Sequence, residues 1–176
     1  MTPAALLPRA LLRGALLPRA LLPITLLCAG LAQAGTVFVH FDQPERYSDV
    51  GPRHDADAVQ QSLASHLQAL GSQQLPAGQT LTLTITDIDL AGEIRPSARR
   101  LHGVRVLGGS ADWPRISLRY SLADGTRVLT EGSDTLADMA YLMRSTSQRQ
   151  HHTRLPYEQR MLGDWFTKRF GAVPAH

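Results

Sequence analysis

Three carboxylates, Asp87, Asp89 and Glu93, fall within the stretch TITDIDLAGEIRP, Thr84 to Pro96. Acids this close together can ligate a hard cation through oxygen, serve as an acid and base pair across a cleft, or end a strand as solvated charges. Read as a calcium loop, the stretch places Asp87, Asp89 and Gly92 at the first, third and sixth positions, but Ala91 takes the fifth and Ala98 the twelfth. The bidentate acid that closes an EF-hand is missing, so that loop is excluded, while a looser oxygen site through Glu93 stays open. Read as a catalytic pair, Asp87 and Asp89 would share one face of a strand roughly 7 Å apart. Asp112 would be a further acid, and His151 or His152 would close over the group. Adjacent histidines diverge by about 100° on a helix, so these two supply at most one ligand to a metal.

The strand before the acids decides the third use. In TLTLTITD, Leu81, Leu83 and Ile85 face one way and Thr80, Thr82, Thr84 and Thr86 the other, the alternation of a half-buried strand. Asp87 and Asp89 continue the inward series, while Ile88 and Leu90 fall on the threonine side. A β-bulge between Ile85 and Ile88 would exchange the faces, sending both acids outward and Ile88 and Leu90 into the core. Without it, the acids point inward and need Arg95, Arg99, Arg100 or Arg105 as cationic partners.

Around this strand the chain alternates elements. TVFVHF, Thr36 to Phe41, reads as a first strand with Val37, Val39 and Phe41 on one face. From Asp55, Val59, Leu63, His66, Leu67 and Leu70 recur at helical spacing, with Gly71 expected as a left-handed cap. His66, beside that stripe, is expected to make a hydrogen bond at the edge of the core. LHGVRVL, Leu101 to Leu107, is a short strand candidate after a basic loop containing Arg95. RISLRYSL turns Ile116, Leu118, Tyr120 and Leu122 inward and, through the turn at Ala123 to Gly125, forms a hairpin with TRVLTEG. SDTLADMAYLM reads as a short helix opened by Ser133. The last helix has Pro156 in its first turn and Glu158 near its positive end. Its apolar stripe is Tyr157, Met161, Leu162, Trp165, Phe166 and Phe170. The expected fold is α+β: a two-layer sandwich whose antiparallel or mixed sheet of four or five strands carries two helices on one face.

Residues 1–34 carry Arg9, Arg13 and Arg19 with no acid, then the apolar run LLPITLLCAGLA, then Ala32-Gln33-Ala34. This is the order of a cleavable signal peptide, with cleavage expected after Ala34 and a single globular domain over 35–176. Cys28 follows Leu27 rather than a small residue, which argues against lipidation. Once the three leader arginines are removed, the 18 basic residues fall to 15, equal to the 15 acids. A neutral mature chain lacks the basic footprint that nucleic acid requires. Cys28 is the one cysteine, so the mature chain has no disulfide, thiol nucleophile or cysteine-ligated metal. No spanning segment follows the leader, which points to the periplasm.

PERYSD, LPAGQTLTLTITDIDLAGE, DWPRISLRYSL and YEQRMLGDWF together resemble the bacterial exported family of unknown function DUF3016 over nearly the whole mature chain. The resemblance implies an envelope protein and brings no activity, cofactor or catalytic residue with it. No G-x-S-x-G elbow, phosphate-binding glycine loop or H-E-x-x-H is present. The expected function is therefore a non-enzymatic binding or assembly module, without a cofactor, that docks an envelope protein through its sheet face or an unpaired edge. Thr82, Thr84, Arg115 and Arg119 are placed on that face. The alternative is an envelope enzyme or metal-binding protein centred on Asp87, Asp89 and Glu93.

Overall fold

A computed structural model describes residues 34–98, 100–108, 111–144 and 153–171. Residues 1–33, which include Cys28, and Arg99, His151 and His152 lie outside these residues. Strand β1 (Thr36–Phe41) leads to helix α1 (Arg53–Gln74), and β2 (Gln79–Asp89) follows. Strands β3 (Glu93–Ser97), β4 (Arg100–Val106), β5 (Arg115–Asp124) and β6 (Arg127–Ala137) precede helix α2 (Pro156–Phe170). The main sheet has the order β1-β2-β5-β6, and β3 and β4 form a separate hairpin. β1 and β2 are parallel because the α1 crossover returns the chain to the same end of the sheet. β5 and β6 are antiparallel across a tight turn whose Gly125 adopts φ +57°, a conformation that glycine takes without cost. The protein is thus α+β with a mixed four-stranded sheet and two helices, as its patterning predicts.

One face of the sheet is buried. Leu81, Leu83, Ile85 and Ile88 of β2 and Ile116 and Leu118 of β5 join Leu63 and Leu67 of α1 and Leu162 and Phe166 of α2 in a single core. Both helices therefore lie on that face. Around Tyr120, the rings of Trp165 and Phe170 meet edge to face at 6.0 and 5.7 Å. Gly132 on β6 makes room for this cluster, since a Cβ there would stand 2.7 Å from the Tyr120 hydroxyl. His66 donates to the Gln159 carbonyl at 2.8 Å, tying α1 to α2 at the core edge.

The structure differs from the pattern reading at three elements. Gly71 does not cap α1: the helix runs on to Gln74, and Gly71 is buried where a side chain would overlap Val37 Cγ2. Its smallness serves a close helix-to-strand approach rather than a left-handed turn. Ser133 opens no helix, because β6 continues to Ala137 by pairing along the whole length of β5. The basic segment at Arg95 is a strand, β3, paired with β4. Glu158, read from the sequence only as an acid near the positive end of α2, is 2% exposed.

Candidate functional site

The acids of the opening stretch occupy three different settings. The β2–β5 register shifts between Ile85 and Asp87, so Ile85 opposes Leu118 while Asp87 opposes Ser117 and Asp89 opposes Arg115. This is the bulge that would exchange the faces, and Ile88 and Leu90 are buried. Asp87 accepts from the Ser48 backbone N–H at 2.8 Å and from Ser48 Oγ at 2.9 Å. Asp89 is half-buried; burial raises its pKa and the nearby Arg115 offsets part of that rise. Glu93 is exposed on the hairpin, 3.7 Å from Arg95. Asp112 is buried, its Oδ2 accepting from the Gly108 N–H at 2.9 Å. Among the described residues, no group of three or more His, Cys, Asp or Glu is placed to hold a metal ion. Of the arginines named as partners for inward acids, Arg105 instead binds Asp49, at 2.9 Å, and the Ala91 and Gly92 carbonyls at 3.2 and 2.8 Å. It thereby fastens β4 to the end of β2.

The face opposite the helices is polar and continuous. Thr82 and Thr84 lie between Phe38 and His40 of β1 and Ser121 and Arg119 of β5. Arg119 reaches Asp42 at 3.1 Å, and Ser117 Oγ meets Thr135 Oγ1 of β6 at 3.1 Å. Among the described residues β6 pairs with β5 alone, so its other side is a free edge eleven residues long. Every residue from Arg127 to Ser133 is exposed, and no proline or lysine interrupts the strand. The edge is held rigidly from beneath, where Asp134 accepts from Trp165 Nε1 at 2.8 Å and from Arg169 at 2.8 and 3.0 Å. The Arg169 bond, with that from Trp165, keeps the Asp134 carboxyl below its ordinary pKa.

Beyond the end of β6, the buried Arg160 of α2 binds Asp138 at 2.9 Å and the Tyr141 and Arg144 carbonyls at 2.8 Å each. This anchor presents Met139 and Met143 outward at 74% and 90% exposure. Exposed methionines are adaptable contact groups, and here a fixed turn displays them beside the free strand.

A concavity of about 770 Å³ opens between the β3–β4 hairpin and the amino ends of α1 and α2. Glu158 and Arg105 line it together with Val50, Leu90, Ile94 and Val104. Glu158 Oε1 accepts from the Ala91 N–H at 2.8 Å. Burial raises its pKa, and backbone hydrogen bonds hold back part of the rise. A first-turn position in a helix signals exposure, so nothing in the local pattern marks Glu158 as buried; only the packing of the β2 terminus onto α2 does so. The cleft itself was equally hidden, because its walls come from four separated segments.

No curated protein matches this chain. A family match runs from the residue before β1 into the last turn of α2. The family model described as "Protein of unknown function (DUF3016)" matches residues 35–168, and the chain belongs to that family.

Proposed function

We propose that this protein is exported by its leader to the periplasm and acts there as a non-enzymatic binding or assembly module, docking an envelope protein along β6 by strand addition. The observation that carries the reading is the eleven-residue β6 edge, which among the described residues pairs on one side only and carries no proline or lysine. Unpaired N–H and C=O groups along a strand edge are a template for a further strand, and folds that avoid such pairing interrupt the edge with proline, lysine or a covering element. The polar face bearing Thr82, Thr84, Arg115 and Arg119 flanks that edge and would contact the partner's side chains. Export is supported by the leader's basic, apolar and small-residue order, and by a family match that begins at residue 35, just after the expected cleavage point. Among the described residues no helix is long and apolar enough to cross a membrane.

The alternative, an envelope enzyme or metal-binding protein built on Asp87, Asp89 and Glu93, has weaker support because the three acids engage Ser48, Arg115 and Arg95 separately. Photo-crosslinkers at Glu131 and Thr135 on β6, at Thr82 on the face and at Phe38 on the opposite edge distinguish the routes. A single adduct of defined mass from the β6 positions, absent from Phe38, is expected in cells. Background adducts of equal intensity at all four positions would refute docking along β6.

A further inference from the structure

The cleft beside α1 and α2 has a chemistry separate from the β6 edge. Its volume of about 770 Å³ lies within the range of about 300–1,000 Å³ common to small-molecule sites. Val50, Leu90 and Leu155 line its inner side, and Ile94, Val104 and Leu107 line it from the hairpin. Those three hairpin residues are among the large hydrophobics left exposed, at 42%, 38% and 39%. The polar groups set deep in the cleft are already engaged: Arg105 is occupied by Asp49 and three carbonyls, and Glu158 by the Ala91 N–H. Buried groups satisfied in this way gain little from a polar ligand, so the interior favours hydrocarbon.

Accessible charge lies at the rim. Arg154 has a side chain 62% exposed and meets Asp55 at 3.3 Å, and that same carboxylate also meets His54 at 3.5 Å. One acid is thus shared by two basic side chains, beside an amino end of α1 that no side chain caps. A negative head group would find the Arg154 guanidinium there, exchanging it from Asp55, whereas an ammonium would find an Asp55 carboxylate already shared between Arg154 and His54.

We propose that the cleft binds a free long-chain fatty acid, with the hydrocarbon tail between the hairpin and the two helices and the carboxylate at Arg154 in competition with Asp55. Each pair of buried methylenes should tighten binding roughly tenfold until the cleft is filled. Calorimetric titration of the purified protein with octanoate, decanoate, laurate and dodecylamine, all below micelle formation, tests this. The expected result is one saturable site per chain, tightening along the carboxylate series, with dodecylamine at least about tenfold weaker than laurate. Val104→Asp should abolish laurate binding. Ile94→Asp, on the facing strand, repeats that test, and the melting curve of each variant establishes that it is folded. Arg154→Glu should weaken laurate about tenfold and narrow its advantage over the amine. No saturable heat with laurate, affinity independent of chain length, equal binding of the amine, or unchanged binding in folded Val104→Asp and Ile94→Asp would each overturn the proposal. So would a concentration-dependent mass that Val104→Asp abolishes, which would make the cleft a contact between copies of the chain.

Discussion

Gly71 offers a test of the close packing between α1 and β1. At an exposed position in a helix interior, Gly→Ala gains about 1 kcal/mol through the unfolded chain and helix propensity. Here the new methyl would overlap Val37 Cγ2 and lie 3.3 Å from Val37 Cβ and 3.6 Å from Leu75 Cδ1. Val37 is buried in a strand paired along its length with β2, and its branched side chain has few alternative rotamers. Overpacking of this kind costs about 1–3 kcal/mol, so the propensity gain is outweighed in the upper part of that range. Gly71→Ala is expected to destabilise by about 1–2 kcal/mol, read as a lower urea midpoint at unchanged slope. In a Val37→Ala background the overlap disappears and the same substitution should stabilise by about 1 kcal/mol. The cycle then yields a coupling of about 2–3 kcal/mol, far above the scatter for independent sites. A Gly71→Ala protein more stable than the parent, with additive effects in the double variant, would refute the close approach.

Two further perturbations follow from the bulge and from the buried acid. Deleting Thr86 removes the extra residue and leaves Ile85, Asp87, Ile88 and Asp89 in unbroken alternation opposite Leu118, Ser117, Ile116 and Arg115, so the protein should keep a cooperative melting transition; loss of that transition would contradict the register. Glu158→Gln keeps the acceptor for Ala91 but removes the charge. Burial raises the folded-state pKa of Glu158 above its ordinary 4.5, so the stability its protonation contributes is present below about that pH and is lost as pH rises through the raised value. Urea midpoints for the two proteins should therefore diverge in favour of the variant as pH rises above about 4.5. Parallel profiles would mean that Glu158 titrates as it does in the unfolded chain.

Period-two and helical spacing were sufficient for β1, α1, β2, β5 and α2, since each must bury one face and its neighbours in sequence show which. The swap of faces near Thr86 was legible as one of two alternatives, because Asp87 and Asp89 fall in the phase of the buried residues; the register, not the pattern, decided for the bulge over acids turned inward onto arginine. The polar outer face carrying Thr82, Thr84, Arg115 and Arg119 came from the same alternation. What local pattern could not supply were relations between distant segments. β6 outran its expected end because β5 offered partners all the way to Ala137, and pairing outweighed the helical appearance of the residues after Ser133. Gly71 and Glu158 gained their roles from Val37 and Ala91, more than thirty residues away in each case, so the local signal at Gly71 pointed to a cap and none at Glu158 marked its burial. The free edge and the cleft depend on strand order and on the closing of four separated segments around one space. Only the tertiary structure decides these, because they are properties of which surfaces meet rather than of any residue's own preference.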